Sequence, residues 1–167
     1  KDEFIYHEMI THVPMAVHPR VKNVLVIGGG DGGTVRELTK YKSIESIDLV
    51  EVDKQVVLLS KKYLPFLSSK LKDKRVKVWF EEGLGYVRGK KSEYDLIIID
   101  SSDPYGPAEG LFTREFYGTC FKALRDDGIL INQHESPFYP EDAAACQRAH
   151  KNLVESFPIA KVYQAHI

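Results

Sequence analysis

"VLVIGGGDGGTVREL" (residues 24–38) sets an apolar run directly against five glycines in six positions, followed by a segment with helical spacing. Strand, glycine-rich turn and helix in that order open a βαβ unit, and Gly28, Gly30 and Gly33 meet the G-x-G-x-x-G pattern. The glycines let backbone approach a ligand closely, and the helix start that follows favours a negative or electron-rich group. The exception is Asp31, which stands inside the loop where a dinucleotide phosphate would be repelled.

Working outward, four more β-branched or aliphatic runs recur: Ile47–Val52, Val76–Phe80, Leu96–Ile99 and Ile129–Ile131, with Lys161–His166 as a possible sixth strand. Most are continuously apolar, as strands buried on both faces are. Between them Val35 and Leu38 sit three apart, and Val56, Leu59 and Tyr63 form a stripe behind the N-cap candidate Asp53. Thr113–Leu124 and Pro140–Phe157 read as two further helices, the second with proline near its first position. Strands alternating with helices imply an α/β fold: a doubly wound, mostly parallel sheet with helices on both faces, Rossmann-like. Phe112, Phe116, Tyr117, Trp79 and Tyr63 are expected in the core, and His12, His18, His150 and His166 at the surface or its boundary.

In such sheets a ligand sits outside the carboxyl ends of the strands, at the point where the strand order reverses. Each strand end is therefore informative. Glu51 follows the second strand, where a carboxylate accepts hydrogen bonds from ribose hydroxyls. Glu82 and Gly83 follow the third: the acid suits an adenine amino group, and the glycine lets the ring lie on the backbone. Asp100 and Asp103 follow the fourth, in "LIIIDSSDPYGPAEG" (residues 96–110). An acid leaving a buried strand is costly to desolvate without a task or partner, and paired carboxylates suit holding a cation or taking a proton from an amine. Asp31, Glu51, Glu82, Asp100 and Asp103 thus converge with no basic residue among them, a setting for a cationic nucleoside or a polyamine rather than a pyrophosphate.

Composition excludes other classes. The 167 residues are one domain's length, and 23 Lys and Arg stand against 24 Asp and Glu, a net charge of −1. That balance offers no electrostatic footprint for nucleic acid or an anionic membrane. No apolar run is long enough to span a bilayer, and "KDEFIYHEMI" (residues 1–10) is not a signal peptide. Cys120 and Cys146 are far apart and fit reduced thiols of a cytoplasmic protein, and the six histidines form no metal-binding spacing. Both ends are abrupt, as in a piece of a longer chain.

The motifs "DEFIYHEMI", "VLVIGGGDGGTVRE", "LVEVD", "YLP" and "DSSDPYGPAEGLFTREFY" occur in the order and form that resembles the spermidine synthases, the polyamine aminopropyltransferases. The resemblance runs over essentially the whole chain and implies a class I methyltransferase-like fold. It implies transfer of the aminopropyl group of decarboxylated S-adenosylmethionine, a co-substrate rather than a tightly bound cofactor, to putrescine. The products would be spermidine and 5′-methylthioadenosine. Carried onto this chain, it makes Asp100 the proton acceptor and assigns Gly28, Gly30, Asp31, Glu51, Glu82, Gly83 and Pro107 to the nucleoside. It places Tyr6, His7, Asp31, Asp100, Ser101 and Asp103 along the polyamine. Where the family's pattern has Asp-Gly after the third strand, this chain has Glu82-Gly83, with the longer acid. The family's N-terminal β domain and C-terminal end are absent from these 167 residues, which leaves one nucleoside-binding catalytic domain. A homodimer or homotetramer is expected of the full-length parent. Two alternatives share the frame: an S-adenosylmethionine-dependent N-methyltransferase, and a non-catalytic nucleoside-binding homologue.

Overall fold

The computed structural model describes residues 2–101, 106–134 and 137–165. Five parallel strands form one sheet: β1 (Asn23–Gly28), β2 (Ser46–Val50), β3 (Val76–Trp79), β4 (Tyr94–Asp100) and β5 (Leu124–Asn132). Their order is β3-β2-β1-β4-β5. The chain therefore steps outward from β1 to β3, then returns to lay β4 against the other side of β1. That reversal is the switch point, and Gly28 and Asp100 are register partners across it.

Side-chain alternation divides the core. Val24, Val26, Leu96 and Ile98 face a cluster with Ile10 and Met15 of α1 (Glu3–Val17), Val35 and Leu38 of α2 (Gly33–Leu38) and Val57 of α3 (Lys54–Tyr63). Leu25, Ile27, Ile97 and Ile99 face the other way, onto Val87 of α5 (Gly83–Val87) and Phe116, Tyr117 and Cys120 of α6 (Arg114–Ala123), with Ala149 of α7 (Pro140–Ser156). A short α4 (Pro65–Ser68) follows α3. Leu96 to Ile99 are wholly buried, and each such side chain gains about 1.5–3 kcal/mol on leaving water. This two-sided burial makes the end of β4 a rigid place to mount a side chain.

Several expectations meet corrections. The stripe Val56, Leu59 and Tyr63 faces solvent, while Val57 and Ser60 turn inward, although Asp53 does cap α3 by accepting from the Gln55 amide. Trp79 is 39% exposed because β3 is an edge strand, and its indole donates to Asp48. His18 is buried rather than peripheral. Residues 161–165 are not a strand, and His166 lies outside the described residues. Helix α1 was not anticipated: its inward stripe is His7, Ile10, Thr11, Pro14 and Met15, three of the five polar or helix-breaking.

Candidate active site

A cleft of about 980 Å³ opens at the carboxyl ends of the strands, over the β1–β4 switch point. Its walls include α1 (Asp2, Glu3, Tyr6, His7), the glycine loop, the ends of β2 and β4, the segment entering α5, Ala108 and Leu111 before α6, and Gln133 past β5. Seven described lining residues are acids, namely Asp2, Glu3, Asp31, Glu51, Glu81, Glu82 and Asp100, and none is lysine or arginine.

The glycine loop is shaped by what it must clear. Gly28 has φ +82°, and a Cβ there would stand 2.1 Å from the Asp100 carbonyl oxygen, so the turn closes directly onto β4. At Gly33 the obstacle is a side chain, since a Cβ would meet the His7 ring at 2.1 Å. The loop is then held by the acids around it. Glu51 accepts from the Gly30 amide at 3.1 Å and from the Asp53 amide at 2.9 Å. Asp31 turns back to accept from the Gly33 amide at 2.9 Å, with its other oxygen 3.6 Å from His7 Nε2.

Helix α1 lies across this loop and is tied to α2. The Arg36 guanidinium donates to Glu3 at 3.2 Å, and Glu3 in turn meets His7 Nδ1 at 2.8 Å. Burial pushes the Glu3 carboxyl up, but His7 and Arg36 outweigh it and hold it below the usual carboxylate range. His7 is 4% exposed, so Glu3 fixes the ring with Nε2 toward Asp31.

Asp100 is the focus. Its Oδ1 accepts from the Tyr6 hydroxyl at 2.5 Å and its Oδ2 from the Thr34 hydroxyl at 2.6 Å. Burial drives its pKa up and Asp31 adds to that, against the pull of the two hydroxyls and His7. The same surroundings push the Tyr6 phenol far above its ordinary value, first by burial and then by the Asp100 charge. A carboxylate of raised proton affinity, facing a cleft with no lysine or arginine among its described lining residues, is suited to receive a proton.

Of the residues singled out from the sequence, Tyr6, His7, Gly28, Gly30, Asp31, Glu51, Glu82, Gly83, Asp100 and Ser101 line this one cleft. Asp103 and the side chain of Pro107 lie outside the described residues. Glu82 has a second task that the sequence did not reveal. It is the N-cap of α5, its two oxygens accepting from the Leu84 and Gly85 amides at 2.8 and 2.7 Å. Three contributors were missed. Thr34 carried a signal in its position directly after the last glycine. Gln133, just past β5, lines the cleft with its Oε1 unpartnered among the described residues, and the strand-end rule applied to β5 would have found it. Glu3 needed the helix to be recognised first, for its i, i+4 spacing to His7 to count.

Comparison with known proteins identifies the family. The spermine/spermidine synthase domain matches residues 3–167. The chain belongs to that family. A polyamine aminopropyltransferase of Lachnoclostridium phytofermentans is 69% identical over all 167 residues, and one of Alkaliphilus oremlandii 67% identical. This chain spans 59% of the length of each. Among solved structures, a spermidine synthase in complex with the transition-state analogue AdoDATO superposes with a TM-score of 0.90 at 46% identity, covering 93% of this chain and 53% of that one. The spermidine synthase of Thermotoga maritima gives 0.87 at 46% identity, covering 93% and 52%. Among the described residues no helix is long and apolar enough to cross a membrane.

Proposed function

We propose that this chain carries the catalytic cleft of a polyamine aminopropyltransferase, which moves the aminopropyl group of decarboxylated S-adenosylmethionine onto putrescine. The observation that carries the proposal is Asp100: a carboxylate of raised pKa at the switch point, in a cleft lined by acids and by no lysine or arginine among the described residues. Such a cleft favours a sulfonium nucleoside and a diamine, both cationic, and disfavours the carboxylate that ordinary S-adenosylmethionine retains.

In this reading Glu51 accepts from the ribose hydroxyls, Gly83 gives the adenine a flat wall, and Glu82 faces its amino group with the lone pairs its capping leaves free. Gly28, Gly30 and Asp31 border the donor's tail, with Pro107 beside the nucleoside. Tyr6, His7, Asp31, Ser101 and Asp103 line the amine. An alkylammonium has a pKa of about 10 and no lone pair, so one proton must leave before attack. Asp100 accepts it. The freed amine nitrogen then attacks the methylene carbon beside sulfur; the N–C bond forms as the C–S bond breaks. The electron pair stays on sulfur, and 5′-methylthioadenosine departs neutral with spermidine as the other product. The sulfonium is already activated, so in-line positioning supplies much of the rate.

The test is mass spectrometry of products after incubating the full chain, in separate reactions, with decarboxylated or ordinary S-adenosylmethionine and an equimolar mixture of isotopically labelled putrescine with unlabelled cadaverine, agmatine and spermidine, so that newly made spermidine carries the label. Spermidine is expected as the main product, with one equivalent of 5′-methylthioadenosine. Methylated amine from the carboxylated donor would instead identify an N-methyltransferase, and no product with either donor would reject the catalytic reading.

A further inference from the structure

Thr34 is the second residue of α2 and is wholly buried, and it is not among the residues lining the cleft. Its hydroxyl nevertheless reaches across the switch point to donate to Asp100 Oδ2 at 2.6 Å. A threonine hydroxyl has one proton. Given to Asp100, that proton matches a carboxylate oxygen that is itself unprotonated. Tyr6 grips the opposite oxygen in the same sense. Because threonine is branched at Cβ, its side chain is stiff, and packing in the first turn of α2 leaves the hydroxyl a fixed direction.

We propose that Thr34 is a positioning residue for Asp100, fixing the plane of its carboxylate and keeping it ionised until the amine arrives. The proposal rests on the reading of Asp100 as proton acceptor. Tyr6 shares the hold on Asp100 but also forms cleft wall, so its removal changes two things at once. Thr34 touches the chemistry through Asp100 alone. Among the described residues, the charged and titratable groups facing Asp100 are Tyr6 and His7 from α1, with Glu3 behind His7, and Asp31 from the glycine loop. Glu51 lines the same cleft from the end of β2, and the end of β5 presents Gln133, which does not titrate. Against the upward push of burial and Asp31, the hydroxyls of Thr34 and Tyr6 and the His7 ring pull the Asp100 pKa down. Losing one hydrogen bond to the charged form shifts the balance upward by about one pH unit.

The test compares wild type, Thr34→Val, Thr34→Ala, Thr34→Ser and Asp100→Asn in the full chain. Two readouts are taken: the pH profile of kcat/KM, and the titration of the Asp100 carboxyl carbon by NMR without substrate. In Thr34→Val and Thr34→Ala the acid limb and the carboxyl titration are expected to move up by about one unit, with KM for the nucleoside donor unchanged. Thr34→Ser should stay close to wild type. A carboxyl titration that does not move in whichever hydroxyl-free variant folds overturns the proposal. So does a Thr34→Ser displaced as far as Thr34→Val, since packing and not the hydroxyl would then be responsible. If Asp100→Asn retains turnover while the titration still moves, the proton-acceptor reading falls and the hold of Thr34 on Asp100 stands.

Discussion

Strand β4 carries an aspartate near each end, and the two live under opposite regimes. Asp95, near its start, is 5% exposed and accepts from the Lys22 and Asn23 amides at 2.9 and 2.8 Å and from the Arg125 guanidinium at 2.8 Å. Burial pushes its pKa up, but those donors overcome it and hold the carboxyl below its ordinary value. Asp100, five residues on, receives two neutral hydroxyls and pairs with no lysine or arginine among the described residues, so burial wins and its pKa rises. One residue type on one buried strand thus becomes a structural anchor at one end and, in the proposed function, a proton acceptor at the other. What separates them is the balance of donors against desolvation: Asp95 has three donors, one of them charged, whereas Asp100 has two neutral donors and the heavier desolvation. Amides and a guanidinium commit a carboxylate to its ionised form; two hydroxyls leave it responsive.

The comparison breaks most sharply under amide substitution at each end. Asp100→Asn is expected to cut turnover by about 10³-fold, the scale of a lost general base, while leaving the thermal midpoint unchanged or raised. Steady-state kinetics and a melting curve on the same preparation check both halves. Asp95→Asn should do the reverse. It removes the charge from three hydrogen bonds and costs about 2 kcal/mol, lowering the midpoint by about 4–8 °C with kcat of the folded protein preserved. Loss of activity at 25 °C from Asp95→Asn alone would blur the distinction.

Acid sharpens it. Asp95 has a folded pKa below its unfolded value, so its contribution is present above the unfolded pKa of about 4 and is lost as pH falls through the folded one. Asp100 has a folded pKa above its unfolded value, so its contribution is present below about pH 4 and is lost as pH rises through the folded one. Denaturant melts from pH 7 down to about pH 3 should therefore show Asp95→Asn losing less stability than wild type on acidification, and Asp100→Asn losing more. Parallel curves for all three proteins would contradict the opposed regimes.

The two ends were unequally legible in the sequence. Asp100 could be read because a charge terminates an unbroken apolar run, Leu96–Ile99, and is followed by another acid and two prolines. Glu51 and the glycine loop were readable for the same reason: local pattern and position in the cleft coincide there. Asp95 gave no such signal, because its partners are backbone amides 72 and 73 residues away in the chain. Thr34 is likewise ordinary until the sheet brings it 66 residues across to Asp100. The parallel sheet was legible from continuous apolar runs, but which helix face turns inward was not. In α3 the apolar stripe faces solvent and Ser60 faces the core, a pairing that hydrophobic periodicity by itself reads backwards.

Glu82 supplies the smallest effect and a third regime between the other two. It is exposed to solvent, and both of its oxygens cap α5 through the Leu84 and Gly85 amides. Each oxygen retains a lone pair, so capping and recognition of an adenine amino group are compatible. Glu82→Ala should cost about 1 kcal/mol, the ordinary penalty of a lost cap, and lower the midpoint by about 2–4 °C. Glu82→Gln keeps one acceptor oxygen, so one of the two amides keeps its partner and roughly half of that penalty should return. The kinetics separate the roles. If Glu82 only caps, both variants keep their KM for the nucleoside donor once compared well below the melting transition. If it also receives the adenine amino group, KM rises several-fold in Glu82→Ala at unchanged kcat, because a contact made equally in ground and transition states is lost. Glu82→Gln then lies between, since its remaining oxygen must serve either the helix or the nucleoside.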